Sequence, residues 1–530
     1  MRPESGRFLF GYRVSHVKKL TLTKPVRKKF RVTKIRMNKE KYHAISRRLP
    51  VYYDTATPPQ PDPGHALGIA ASLTKRVAGE VPKPCRKTRR EFKRFVQLWL
   101  KHNVTPLTID ECMTFDEWLE STSYDQSRKE YLRKIWEDCG GRPTDKDLQK
   151  VLAFIKNECY PEYKFPRGIY SRSDMAKCLF GPLVQSISKK IFELHWFIKK
   201  IPVAERPEAI RDKLFKIGAD YCFTDYTAFE AHFTKDLMDV CENVLFRYMT
   251  QNLPDEYKEI ANTMARIKGG MNKIIFGVLT CFLEAGRMSG EMDTSLSNGF
   301  SNLMFYLFCS SKAGARVDKI TGFVEGDDGL FRNDDGIYPT AGDFEKMGLT
   351  IKIGMTKELT RASFCGQVYD LEELAVVTDV KEVVCRFGWT NKKYVRAGDR
   401  VLMELLRSKA YSMVYQYGRC PVLGKLGKKL LELTSHVNIR ASIIQQMDMY
   451  DREKFFEARK CIEAEKIDTL VKEPGLKTRQ MVEELYDLSI KEQQDIEEKI
   501  DSMGLGPLPF QFATVPADWE HYHYVYNTDE

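Results

Sequence analysis

The chain has 530 residues, 43% hydrophobic and 30% charged, with a net charge of +11 at pH 7. That length supports roughly three domains and a large core, and the composition is ordinary for a globular protein. No run approaches the ~20 apolar residues of a membrane span, and no apolar signal core follows the basic N-terminus, so the chain is expected to stay in the cytosol.

The thirteen cysteines include no Cys-x-x-Cys pair and no His partner at zinc spacing. That excludes a patterned zinc site or disulfide framework and makes Cys222, Cys241, Cys281 and Cys309, all in apolar runs, core thiols. The charge is concentrated: residues 1–50 hold sixteen Lys/Arg against two Glu, leaving the rest of the chain at −3. Any nucleic-acid surface beyond that arm must be a local groove.

Taken in order, the basic arm interleaves cations with Phe8, Phe10, Tyr12, Phe30 and Tyr42 and reads either as a contact for nucleic-acid phosphates or anionic lipid, or as a solvated arm. The proline-rich stretch 56–64 reads as a linker or extended surface segment. Residues 86–154 are predicted helical, with Phe92, Phe95, Leu98 and Leu100 near helical spacing and Tyr131, Leu132 and Ile135 similarly placed. The stretch 156–172 sets Lys156, Lys164, Arg167 and Arg172 among Pro161, Pro166 and Gly168, which predicts irregular or extended chain. Such a loop either carries cations for a triphosphate or is simply basic surface.

Tyr221-Cys222-Phe223-Thr224 reads as a buried strand ending at Asp225, with a mostly helical stretch over 229–249. A carboxylate at a strand end before a helix suits chemistry, and equally suits a helix cap. Arg287-Met288-Ser289-Gly290 reads as a small-residue loop feeding a helix on which Thr294 and Asn298 share one face. With Ser289 these groups form a set suited to reading sugar hydroxyls.

Phe323-Val324-Glu325-Gly326-Asp327-Asp328-Gly329-Leu330-Phe331 is the central stretch: two apolar runs around a Gly-Asp-Asp-Gly turn predict a β-hairpin. Adjacent carboxylates at its tip repel each other and suit a hard divalent cation, although Asp and Gly also make ordinary turns. After it come a predicted helix over 341–347, a strand over 349–353 with Lys352 between isoleucines, Lys357 in a loop, and a tight hairpin at Phe364-Cys365-Gly366. From Arg400 onward the chain reads as helical.

In this order, the basic loop, strand-end Asp225, Ser289-Gly290 helix, Gly326-Asp327-Asp328 hairpin, lysine-bearing segment and Phe364-Cys365-Gly366 turn resemble the polymerase motifs of positive-strand RNA viruses. The chain is similar to viral RNA-dependent RNA polymerases, in detail most to the tombusvirus-like and nodavirus-like groups, over about residues 124–369. Asp225 matches the metal-binding aspartate of motif A. Arg287-Met288-Ser289-Gly290-x-x-x-Thr294-x-x-x-Asn298 matches motif B nearly letter for letter. Phe154-Ile155-Lys156 with Arg167 and Arg172 resembles motif F, Phe364-Cys365-Gly366 motif E, and Ser123-Tyr124 to Arg128-Lys129-x-Tyr131, more weakly, motif G.

The resemblance implies an α+β right hand: a basic N-terminal arm (1–50), fingers (51–219, with 231–285 partly fingers), a palm (220–370) with an RRM-like antiparallel sheet packed on helices, and a helical thumb and C-terminal region (371–530). It implies template-directed RNA synthesis from NTPs, replicating a viral genome. Asp225, Asp327 and Asp328 would hold Mg²⁺ or Mn²⁺. Lys156, Arg167, Arg172, Glu230, Ser289, Gly290, Thr294 and Asn298 would bind the NTP, with Lys357 or Lys352 as general acid. Partners would be template and product RNA, other viral replication proteins and host membranes, in the cytoplasm. Phosphoryl transfer needs charge stabilisation more than covalent help, which suits this set. Glu230 is a departure, since the family usually has Asp five residues after the motif A aspartate; it can still accept a hydrogen bond. The alternatives are a catalytically inactive RNA-binding scaffold and a reverse transcriptase.

Overall fold

The computed structural model describes residues 29–35, 46–54, 60–64, 66–160, 164–277, 279–447, 449–464 and 467–515, with short strands at 8–9, 12–14 and 20–22. The reading of 1–50 as an arm therefore lies largely outside the described residues. The strands that position the site are β1 (Phe30–Ile35), β2 (Lys150–Ile155), β3 (Gly168–Arg172), β4 (Tyr221–Tyr226), β5 (Met271–Ile275), β6 (Leu279–Glu284), β7 (Ile320–Glu325), β8 (Asp328–Asn333) and β9 (Ile351–Thr356). The helices are α1 (Arg86–Asn103), α2 (Asp174–Ile191), α3 (Thr294–Ala313), α4 (Asp399–Tyr417) and α5 (Leu423–Leu433).

Two sheets organise the described chain. One has the order β1-β6-β5-β2-β3, antiparallel except where β2 pairs with β5. The other, β7-β8-β4-β9, is wholly antiparallel. Residues 150–155 thus form a strand where the helical reading of 86–154 expected none, because Val151, Ala153 and Ile155 alternate inward there with exposed Lys150, Leu152 and Phe154. The end of the 156–172 stretch is likewise a strand, β3. The helical reading of 229–249 becomes three short helices, 229–232, 235–240 and 242–250.

One face of the four-stranded sheet is covered by α3, which is apolar on nearly every side and almost wholly buried. Phe92 of α1 packs edge-on against Phe308 of α3 with ring centres 5.2 Å apart, closing a layer of helices behind the sheet. The opposite face carries a second core shared with α4 and α5. Leu49, Val51 and Tyr53 join this C-terminal core, and Val51–Tyr52 pairs in parallel with Gly506–Pro507, so these two distant segments are stitched together. Among the described residues no helix is long and apolar enough to cross a membrane.

Candidate active site

Strand alternation sends Cys222, Thr224 and Tyr226 of β4 into the helical layer, leaving Phe223 and Asp225 on the other face. Gly329 pairs with Thr224, so one step further along the ladder sets Asp328 beside Asp225. On the other side of β4, Lys352 pairs directly with Asp225. Cross-strand partners project to the same face, so Asp225 is flanked by a carboxylate on one side and an ammonium group on the other.

The β7–β8 hairpin closes through Gly326 and Asp327, with Gly326 at φ +58°. A two-residue turn with positive φ at its first position is the setting glycine serves at no steric cost. The turn is also held from below: buried Asn302 donates through Nδ2 to the carbonyls of Gly326 (3.2 Å) and Asp328 (2.9 Å). Gly299, one turn of α3 earlier, leaves room for this approach, since a Cβ there would meet the Phe197 ring at 3.1 Å. No motif marks Asn302 in the sequence, although its place four residues beyond Asn298 extends the Thr294–Asn298 stripe.

Asp225 is exposed, while Asp327 and Asp328 are half-buried. Burial pushes the Asp327 carboxyl above its usual range, its own backbone N–H draws it back, Glu230 and Asp225 raise it, and Arg167 lowers it. Asp328 is pushed up to about 7 by burial and by the neighbouring Asp327 and Asp225. Among the described residues, no three His, Cys, Asp or Glu side chains converge closely enough to hold an ion as they stand. The chemistry of the donor set nonetheless fits a hard divalent cation: adjacent carboxylates that repel one another and no soft ligand among them.

The residues around the Ser289-Gly290 loop fall into two groups. Gly290 has φ +130°, and a Cβ there would meet Ile169 at 2.9 Å, so the loop lies directly on β3. The Ser289 carbonyl accepts from the Tyr170 N–H at 2.8 Å, fixing the same contact. The Thr294 hydroxyl is used internally: it accepts from the Gly290 N–H (3.1 Å) and donates to the Glu291 carbonyl (2.8 Å). Asn298 instead has a buried Oδ1 with no hydrogen-bond partner among the described residues. Glu230 is held by Arg76, Nε to Oε1 at 2.5 Å, a partner that no motif signalled. Its carbonyl accepts from the Arg287 N–H at 3.1 Å.

Lys156 and Arg167 lie together at the mouth of the β2–β3 hairpin, joined by the Lys156 N–H to Arg167 carbonyl bond of 2.8 Å. Both pair with Glu158, at 3.0 Å for Lys156 and through Nε (2.5 Å) and Nη2 (2.6 Å) for Arg167. Burial alone would raise the Glu158 carboxyl, but Arg167 and then Lys156 more than reverse it, to about 2. Even so paired, the Lys156 and Arg167 side chains remain 44% and 46% exposed.

Arg172 does not join them. It is 4% exposed, bonded to Glu291, to the Leu148 carbonyl (3.0 Å) and to Asn272 Oδ1 (2.7 Å). It belongs to a buried set in which Arg172, Lys268 and Arg287 balance Glu242, Glu291 and Asp293. This corrects the expectation that Arg172 faces a triphosphate: strand alternation points it inward, where the three acids compensate its charge.

The two candidate general acids are also separated by register. Lys357 follows Thr356, which pairs with Tyr221 at the far end of β4. At ~3.4 Å per residue that pairing is about 14 Å from the Asp225 pairing, and Lys357 follows it. Lys352, not Lys357, is the lysine beside the acids. Phe364 and Gln367 bridge a tight turn in which Cys365 and Gly366 both have positive φ, +56° and +71°. Burial, then Asp328 and Glu325, push the Cys365 thiol well up, which sets this turn next to the carboxylates.

Residues 175–415 match the family model described as viral RNA-dependent RNA polymerase. No curated protein matches the chain. The matched segment holds Asp225, Glu230, Ser289, Gly290, Thr294, Asn298, Asp327, Asp328 and Lys352; Lys156 and Arg167 lie just outside it. The matched domain, 241 of the 530 residues, indicates an RNA-directed RNA polymerase, a nucleotidyltransferase.

Proposed function

We propose that the RNA-directed RNA polymerase domain at residues 175–415 works as the palm and flanking elements of a right-handed enzyme that copies a viral RNA genome from NTPs. In this reading the fingers span 51–219 with part of 231–285, the palm 220–370 and the thumb and C-terminal region 371–530. The motif spellings favour the tombusvirus-like and nodavirus-like groups, and work beside other viral replication proteins on cytoplasmic membranes goes with that grouping.

The observation that carries the reading is the ladder position of Asp328 beside Asp225, with Lys352 on the other flank. Asp225 and Asp327 would hold divalent cations, Mg²⁺ or Mn²⁺, with Asp328 in support. Held there, such ions would supply activation of an attacking hydroxyl and neutralise charge on the leaving oxygens. Lys156 and Arg167 bind the triphosphate from the fingers side, orienting the α-phosphate for in-line attack by the 3′-hydroxyl of the growing strand. As the 3′-oxygen bonds to the α-phosphorus its proton passes to water, the P–O bond to the leaving pyrophosphate breaks, and Lys352 Nζ gives a proton to that pyrophosphate. Ser289, Asn298 and Glu230 read the incoming sugar.

Incorporation of labelled NTPs on a single-stranded RNA template, with Mg²⁺ and with EDTA, tests this. Wild type should show metal-dependent synthesis, and Asp327→Ala and Asp225→Ala should lose it while staying folded. Retained synthesis in either folded variant would overturn the mechanism.

A further inference from the structure

We propose that Arg76 is the positioning residue for ribose selection: it holds Glu230 by one carboxylate oxygen, leaving the other to accept a hydrogen bond from the 2′-hydroxyl of an incoming ribonucleotide. The inference rests on the polymerase reading of the site and adds to it a residue from outside the matched domain.

Glutamate carries one methylene more than aspartate and has another torsion to order, so a selecting carboxylate at position 230 needs an external restraint. Arg76 supplies it. Its Nε meets Glu230 Oε1 at 2.5 Å, with the side chains only 18% and 14% exposed. Among the described residues Glu230 Oε2 makes no hydrogen bond. The Glu230 main chain is tied to the Ser289 loop by the Arg287 N–H, so the acid and the loop hydroxyl are set from a common anchor.

The segment bearing Arg76 is built to aim it. Residues Leu73–Val77 form a single π-helical turn closed by the Ala78 N–H to Leu73 carbonyl bond at 2.8 Å. Such turns carry one extra residue and redirect side chains that an α-helix would point elsewhere. Leu73 and Val77 anchor it in the core under the five-stranded sheet, and the turn packs on the short helix 229–232 that holds Glu230. Tyr160 and Arg167 lie within electrostatic reach of Arg76, which brings Arg167 and the selecting acid to one place.

A hydroxyl donating to a positioned carboxylate gains a bond that a deoxyribose cannot make, and the deoxy sugar leaves the acceptor unmatched. Arg76 thereby acts on discrimination through Glu230 without touching the reacting atoms. Were Arg76 a phosphate ligand instead, its loss would weaken ribo- and deoxyribonucleotides alike.

The test is single-nucleotide incorporation by the full chain with matched NTP and dNTP pairs, in wild type, Arg76→Met, Arg76→Lys, Glu230→Asp, Glu230→Ala and Arg76→Met/Glu230→Ala. Arg76→Met should lower the NTP-over-dNTP ratio of kcat/KM by about tenfold or more, mainly through a raised KM for NTP. Arg76→Lys should restore part of the ratio, and Glu230→Asp, which withdraws the carboxylate from Arg76, should reproduce the loss. In the Glu230→Ala background, Arg76→Met should change the ratio no further. An active Arg76→Met enzyme with wild-type discrimination, or an added loss in the double variant, would overturn the inference while leaving the polymerase reading intact. Absence of synthesis by wild type would overturn both.

Discussion

The Asn302 side-chain amide donates to the main-chain carbonyl of Asp328 at 2.9 Å, tying the third turn of α3 to the hairpin that carries two of the acids. A helix buried on nearly all sides is a rigid base, and this bond transmits its position to the turn. Asn302→Leu removes the donor from two carbonyls, at a cost of about 1–3 kcal/mol for polar groups left unpaired. Urea denaturation should report that loss, and nucleotide incorporation should fall with it. A variant equal to wild type in both would show the clamp to be dispensable.

Arg167 and Arg172 stand five residues apart and should behave oppositely. Arg172→Met leaves Glu291 with one of its cations missing in a buried set, a loss of about 3–5 kcal/mol. Arg167→Met, at a side chain 46% exposed, should cost far less stability, only what its pair with Glu158 supplies, yet raise the KM for NTP about tenfold through a lost charge-assisted contact. Thermal unfolding and steady-state kinetics on both variants decide it, and a stable, folded Arg172→Met enzyme would contradict the assignment.

Lys352→Ala should reduce kcat by about a hundredfold if its ammonium supplies the proton to pyrophosphate. Lys357→Ala should leave kcat within about twofold, since the ladder sets it at the far end of β4. Pre-steady-state incorporation rates at saturating NTP provide the comparison. A larger defect at Lys357 would refute the register argument.

Glu158 gives the clearest acid dependence. Its folded value of about 2 lies below the ordinary 4.5, so the stabilisation from its pairing with Arg167 and Lys156 is present above about pH 4.5 and is lost as pH falls toward 2. Glu158→Gln should remove that component, flattening the acid limb of the stability profile measured by denaturant unfolding between pH 2 and 5. An unchanged acid limb would show that Glu158 is not held by its cations in solution.

The elements that can be read from local chemistry were legible in the chain itself. The Gly-Asp-Asp-Gly hairpin declares itself because a turn glycine between β-forming runs leaves few other conformations, and the Ser289-Gly290 loop before the Thr294–Asn298 helix face does so by its helical spacing. Hence the acids, the loop and their order along the chain came from sequence alone. What a side chain meets across space did not. Arg172 and Arg167 are equally basic residues in one stretch, and only the inward phase of β3, set by pairing with β2, buries the first among distant acids. Lys352 and Lys357 were separable only by the β4–β9 register, which depends on the whole sheet. Arg76 reaches Glu230 across 154 residues, and Asn302 reaches Asp328 across 26. Both contacts arise because tertiary packing, driven by nonspecific burial of the surrounding apolar residues, brings together groups whose local sequence carries no mark of the other.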